Sequence, residues 1–209
     1  YWGMYNLVER PDASFSGSYF GGTEEDWDGL NAGFPIGESN TGTKDAMLAQ
    51  IRSGMTDNTS YQKIQGLNLD GTVNPAFDDL MDIDNYIDYM LVNFWGGTGD
   101  WPGHNYYAVC HRTPASTGFK SYIWDSEAAL STWSDLTTDN TTPSFHAGWG
   151  EPYGAMRQNA EFRLRFADHV QKQLFDDGEA TPHVVSNRYL EVTTMIEDAI
   201  IAESARWGN

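Results

Sequence analysis

Cysteine is almost missing from this chain, since Cys110 is the single one among 209 residues. An internal disulfide is therefore impossible, but this does not identify the compartment, because many secreted bacterial proteins carry none. Basic residues are also scarce, with 12 Lys and Arg against 30 Asp and Glu and a formal net charge of −18. A chain this acidic repels phosphate backbones, so we expect no nucleic-acid partner.

Long apolar runs are missing too. No segment approaches the roughly 20 residues of a membrane-spanning helix, so we expect no membrane span. Neither G-x-S-x-G nor a catalytic-cysteine signature occurs, which disfavours nucleophilic hydrolysis. His104 and His111 have no partner at metal-ligand spacing, which disfavours a zinc site. What is present, 40% hydrophobic and 20% charged residues, is typical of a folded domain.

The beginning of the chain has a strand-like pattern. Residues 1–9 are rich in aromatic and branched side chains, which predicts a strand from the first residue. Because domains seldom begin inside a strand, we expect further sequence upstream of Tyr1. Residues 17–42 are rich in Gly, Ser and Asp, and this composition predicts mostly loop.

Four segments have helical patterns. The clearest carries apolar residues at helical spacing over 83–94, with Asp82 or Asp84 as its cap and two glycines at its end. Residues 44–51 predict a second helix. Asn159 is a cap for a third, and Thr181-Pro182 starts a fourth. The fourth is predicted to bury a face made of Val185, Val192, Ile196 and Ile200.

A β-hairpin is predicted between the helix at residues 83–94 and the helix capped by Asn159. Its strands are residues 105–112 and 119–124, joined by a turn over 113–118. A turn centred near residues 115 and 116 places Asn105 opposite Asp125 or the residue after it. The first and last positions of the hairpin therefore share one end.

Polar side chains gather at that end of the predicted hairpin. Asp100 lies in the loop that enters it, and Glu127 follows Asp125 by two positions. Clustered carboxylates repel one another unless a cation intervenes, and Mg²⁺ or Mn²⁺ prefers such oxygen ligands. Protein kinases space a base Asp and a metal-binding Asn in this way and place a second Asp after a hairpin. From spacing alone, caps and loop hydrogen bonds explain Asp100, Asn105 and Asp125 about as well.

The same segments resemble the CotH kinase family, the atypical secreted kinases similar to spore-coat protein H. The similarity runs over nearly the whole chain. It is carried by YWGMYNLVERPD at the beginning, DIDNYIDY at 82–89, GDWPGHNYY at 99–107, YIWDSE at 122–127 and ESARWG at 203–208.

The resemblance implies an α+β, protein-kinase-like fold: a mostly helical C-lobe with a β-hairpin that carries the metal site, and an N-lobe largely absent. It implies one CotH-like domain over 1–209, truncated at the N-terminus. Residues 1–10 would be the last N-lobe strand and hinge, and residues 11–209 the C-lobe.

The resemblance also implies a function. By this resemblance the chain is similar to a bacterial protein kinase that is secreted or at the cell surface. Such a kinase would use ATP with Mg²⁺ or Mn²⁺ to phosphorylate Ser or Thr of a surface or coat protein. By position, Asp100 is the catalytic residue, and Asn105 and Asp125 bind the metal and through it the nucleotide, with Glu127 as a further metal ligand. Glu9 matches the hinge glutamate beside the adenine.

The chain departs from the family in one respect. Family members have a basic residue that binds the ATP phosphates, and none of the four lysines here, at 44, 63, 120 and 172, matches its position. We therefore expect these 209 residues alone to be inactive or nearly so. Two other hypotheses stay open. One is a non-catalytic surface or coat module that uses this fold to contact other proteins, including neighbouring domains of a larger secreted protein. The other, more remote, is a metal-dependent hydrolase using the same carboxylates.

Overall fold

The structure is a computed structural model that describes residues 3–112, 116–130, 135, 137–141, 145 and 148–208. Within that part the chain is an α+β protein with seven α-helices and a four-stranded antiparallel sheet, which confirms the predicted class. The elements are α1 (Ala13–Phe20), β1 (Trp27–Asn31), β2 (Phe34–Pro35), α2 (Gly42–Ser53), α3 (Asn58–Lys63), α4 (Ile83–Gly96), β3 (Tyr106–His111), β4 (Lys120–Ile123), α5 (Glu151–Met156), α6 (Ala160–Leu174) and α7 (Pro182–Trp207).

The sheet has the strand order β2-β1-β3-β4, and each neighbouring pair is antiparallel. β1 lies along β3 with Trp27 opposite His111. On one face Trp27 and Val109 pack with Ala13 of α1, and all three are buried. The short helix α1 therefore covers this face of the sheet.

The prediction that residues 17–42 are mostly loop is wrong in part. This range contains the end of α1, both strands β1 and β2, and the beginning of α2. Gly29 lies inside β1, where an added Cβ would stand 3.0 Å from the backbone nitrogen of Ala13. The glycine therefore permits a close approach between helix and strand, which composition alone does not distinguish from a turn.

The helix predicted over 83–94 is confirmed as α4. Asp82 is its cap, and its carboxylate accepts a hydrogen bond from the Asn85 backbone at 3.1 Å. The helix ends at Gly97, which has the left-handed conformation. The buried hydroxyl of Tyr86 donates to the carbonyl of Trp149 at 2.8 Å. α4 is thus a central element of the core, as its apolar stripe predicts.

The other predicted elements agree in part. The helix predicted over 44–51 lies within α2, and the two hairpin strands are β3 and β4. Half of the predicted turn between them, residues 113–115, lies outside the described residues. Asn159 caps α6 by accepting from the backbone N–H groups of Glu161 and Phe162, at 2.8 and 3.1 Å.

The contacts divide the chain into two compact units. One comprises Tyr1–Glu9 and Asp168–Asn209, and the other Arg10–Ala167. The strand predicted at the beginning of the chain is wrong for residues 3–9, which have neither helix nor strand structure. The segment has a strand-like sequence pattern but no strand partner among the described residues, and Leu7 within it is 96% exposed.

The last helix, α7, begins as predicted after Thr181 with Pro182 at its first position. Its predicted buried face is wrong in part, since Val192 and Ile200 are 52% and 43% exposed. No residue of α7 is fully buried in the structure described. Across the described ranges, none of the helices combines the length and apolar character that a membrane crossing requires.

Candidate active site

The loop after α4 is held against that helix by an aromatic anchor. The indole N–H of Trp101 donates to the hydroxyl of Tyr89 at 2.6 Å. Its ring also meets the ring of Phe94 edge-on, with centroids 5.7 Å apart. Burial raises the pKa of Tyr89 well above its ordinary value, so this hydroxyl stays protonated. The anchor therefore fixes the position of Asp100, the preceding residue in the chain.

A second set of bonds joins the same loop to the segment that follows β4. The backbone N–H of Gly99 donates to the carbonyl of Ala128 at 2.8 Å. In the opposite direction, Leu130 donates to the carbonyl of Gly96 at 2.7 Å. These backbone bonds bring the two polar segments, far apart in sequence, to one place on the surface.

Asn105 is the residue on which the two segments converge. Its side-chain nitrogen lies 2.5 Å from Oδ2 of Asp100 and 3.2 Å from the backbone carbonyl oxygen of Asp125. The structure thus brings together three residues that the sequence singled out. The amide nitrogen is thus engaged by both segments.

The local backbone explains why these residue types occur here. Asn105 and Asp125 have φ angles of 58° and 54°, in the left-handed region that Asn and Asp tolerate better than most other residues. Tyr106 pairs with Ile123, so the register continues to Trp124 opposite Asn105. The predicted partner was one residue later, but the turn in the backbone at Asp125 still carries its carbonyl to the amide.

Two polar oxygens in this region have no hydrogen-bond partner among the described residues. They are Oδ1 of Asp100 and Oγ of Ser126, and both are buried. A buried acceptor without a donor is costly, so both atoms need a hydrogen-bond partner that the described residues do not supply. Sequence reasoning did not select Ser126; its position directly after Asp125 was the available signal.

The donor set is compatible with a hard divalent cation. Carboxylate oxygens of Asp100 and Asp125 and the amide oxygen of Asn105 are ligands of the kind that Mg²⁺ takes, and Mg²⁺ commonly uses one or two carboxylates and keeps several waters. Across the described ranges, no group of three or more His, Cys, Asp or Glu side chains is placed to hold a metal ion. Only a water-rich site would therefore fit.

The other two predicted residues are placed differently. Glu127 is exposed, as is Asp125. Glu9 is also exposed and belongs to the smaller unit, whereas the other four predicted residues lie in Arg10–Ala167. The hydrogen-bonded arrangement itself consists of Asp100, Asn105 and Asp125.

Comparison with known proteins gives one result. A family model described as CotH kinase protein matches residues 1–209. No curated protein and no solved structure matches the chain.

Proposed function

This chain belongs to the CotH kinase protein family, and on that premise we propose that it transfers the γ-phosphate of ATP to a Ser or Thr hydroxyl of a protein. The observation that supports this most directly is the pair of hydrogen bonds from Asn105 to Asp100 and to Asp125. They connect the amide of Asn105 to the carboxylate of Asp100 and to the backbone carbonyl of Asp125.

In the proposed reaction Asp100 orients the attacking hydroxyl and receives its proton. One carboxylate oxygen, Oδ2, is fixed by Asn105, and the other, Oδ1, is buried and accepts no hydrogen bond from the described residues. The hydroxyl oxygen forms a bond to the γ-phosphorus, the bond to the β-phosphate oxygen breaks, and ADP leaves. Positioning and charge stabilisation supply most of the catalysis in such transfers.

Asp125 and Asn105 would hold Mg²⁺ or Mn²⁺, and Glu127 would be a further ligand that contacts the cation through a water molecule. The cation supplies neutralisation of phosphate charge when bound. This matters especially here, because a chain with net charge −18 repels a polyanion. We place Glu9 beside the adenine, by family position alone.

The wider setting is part of the same proposal. The acceptor is a surface or coat protein, and the kinase is a bacterial protein that is secreted or at the cell surface. We propose that residues 1–10 form the hinge side of the domain and residues 11–209 its C-lobe. Because no lysine matches the family's phosphate-binding position, we expect these 209 residues alone to transfer little or no phosphate.

Calorimetric titration of Mn²⁺ with ATP tests the metal site. It is done with these 209 residues and with the chain extended upstream of Tyr1. We expect Asp125→Asn to weaken binding at least tenfold, because a negatively charged metal ligand is replaced by a neutral amide. Asp70→Asn removes an equal charge from an exposed turn and is expected to leave binding unchanged. Equal binding by the parent chain and Asp125→Asn would remove the metal role assigned to this residue.

Radiolabelled ATP separates the competing functions. Phosphate on a Ser- or Thr-containing protein, lost in Asp100→Asn, supports the kinase. ATP turnover without phosphoprotein points to a hydrolase. If the extended chain neither binds Mn²⁺ with ATP nor transfers phosphate, the non-catalytic module is the correct hypothesis.

A further inference from the structure

A cavity lies at the end of the β3-β4 ribbon opposite to the candidate active site. Its volume is about 380 Å³, within the range of small-ligand sites. Among the described residues its lining includes Thr43, Asp78, Asp79, Arg112 and Ser116. Since β3 has six residues, the two sites are separated by about 20 Å along the strand. The family motifs described above do not include this lining.

Asp79 is the residue that gives this cavity a chemical preference. Its Oδ1 atom is buried and has no hydrogen-bond partner among the described residues. The backbone N–H of Met81 bonds to the same carboxyl group. Burial raises the pKa of Asp79 to about 6, so the group is mostly ionised at neutral pH. An ionised carboxylate with an unpaired buried oxygen is stabilised by a donor or a positive charge, and no hydrogen-bond donor to that oxygen is found among the described residues.

Neither Arg112 nor Lys120 provides that donor. Arg112 directs Nε to Oδ1 of Asp28 at 2.7 Å and a terminal nitrogen to the carbonyl of Glu38 at 2.9 Å. Asp28 is 1% exposed, so its charge is balanced by this arginine. Lys120 bonds to Asp82 at 2.6 Å. Each of these cations already has a carboxylate partner, and Asp78 adds a further negative charge to the cavity lining.

We propose that this cavity binds an organic cation, an ammonium or guanidinium group, whose N–H donates to the carboxylate of Asp79 while Asp78 adds a second negative charge. A bare metal ion is a poorer fit, because no metal-holding group of three His, Cys, Asp or Glu side chains is found in the described part of the chain. The occupant is either a small free cation or a basic side chain of another protein. Both present the same chemistry, and the proposal does not depend on phosphoryl transfer.

Amide chemical shifts in ¹H-¹⁵N spectra test this proposal. Methylguanidinium chloride is titrated at constant ionic strength, with tetramethylammonium chloride as a cation that has no N–H donor. We expect saturable shifts at Thr43, Asp79 and Ser116 with methylguanidinium and none that saturate with tetramethylammonium. Asp79→Asn should weaken binding at least tenfold, because it removes the charge and keeps the shape. Asp176→Asn, an exposed acid, is the matched control.

Two blocked tripeptides, with a central Arg or Gln, identify the source of the cation. Stronger binding of the Arg peptide than of methylguanidinium favours a protein side chain, and the reverse favours a small free cation. The proposal is overturned if tetramethylammonium produces the same shifts, if Asp79→Asn binds as the parent does, or if no saturable shift appears at these amides. None of these readouts requires kinase activity, so failure of one proposal leaves the other standing.

Discussion

The side-chain nitrogen of Asn105 lies 2.5 Å from Oδ2 of Asp100, five positions earlier in the chain. The contact depends on a left-handed backbone at Asn105, with a φ angle of 58°. Asn105 therefore has two roles. It turns the chain into β3, and it orients the carboxylate of Asp100, which we propose as the general base.

Replacing Asn105 separates these two roles. Asn105→Gly removes the amide and adopts the left-handed conformation without strain. Asn105→Ala also removes the amide, but its side chain disfavours that conformation. We expect the alanine variant to be less stable than the glycine variant by about 1 kcal/mol, from the strain of the left-handed backbone. Phosphate transfer by the extended chain should fall at least tenfold in both. Urea unfolding and radiolabel transfer measure the two effects, and a fully active glycine variant would contradict the role of the amide.

The parts of the fold that the sequence predicts well are those specified by local patterns. α4 has an apolar stripe, an Asp cap and a terminal glycine within one segment, and each of these acts in the structure as predicted. The convergence of Asn105 with Asp125 could be predicted because hairpin geometry fixes which strand positions share an end.

The predictions that fail depend on contacts between distant segments. Gly29 lies in a segment whose composition is typical of a loop. In the structure it belongs to β1, where the absence of a side chain lets α1 pack closely upon it. Residues 3–9 have a strand pattern without a strand partner among the described residues. Neither outcome is encoded within a short window, since a strand forms only where a neighbour supplies hydrogen bonds.

Tyr89→Phe tests the aromatic anchor of the loop that carries Asp100. The change removes the oxygen that accepts the indole N–H of Trp101 at 2.6 Å. Leaving that donor unpaired should cost about 1–3 kcal/mol in the free energy of unfolding. Transfer activity should fall as well, because Asp100 precedes Trp101. Tyr5→Phe, at an exposed tyrosine, is the control in urea unfolding, and equal stability of the two variants would argue against the anchor.

The ion pair between Arg112 and Asp28 gives a test of buried charge. Arg112→Met leaves the carboxylate of Asp28, 1% exposed, without its cation. Breaking a buried pair typically costs about 3–5 kcal/mol, and we expect about 3 because Arg112 is partly exposed. Adding Asp28→Asn should recover part of the loss. If the double variant is no more stable than Arg112→Met in urea, charge is not the cause.

Cys110 should be almost unreactive while the protein is folded. The thiol is buried, its sulfur lies 3.2 Å from Oγ of Ser116, and burial raises its pKa to about 12. Because the thiolate is the reactive form, alkylation at pH 8 requires opening of the structure. We expect the labelling rate with iodoacetamide to rise with urea in parallel with unfolding. Rapid labelling without denaturant would show that this part of the sheet opens easily.

Asp79 makes the stability depend on pH in an unusual direction. Burial and the neighbouring Asp82 raise its pKa to about 6 in the folded state, against about 3.9 in an unfolded chain. Between these values the folded state binds the extra proton, so the contribution of this group to stability is present below pH 4 and is lost as the pH rises through 6. Because the side chain is partly exposed, we expect about 1 kcal/mol after allowing for solvent screening.

Asp79→Asn removes this dependence. The variant should be more stable than the parent by about 1 kcal/mol at pH 7.5 and equal to it near pH 4, because the parent is then protonated and neutral as well. Urea unfolding at the two pH values measures the difference. Asp176→Asn controls for the general loss of one negative charge from an acidic chain. A difference between Asp79→Asn and the parent that is the same at both pH values would show that Asp79 is not the group that titrates.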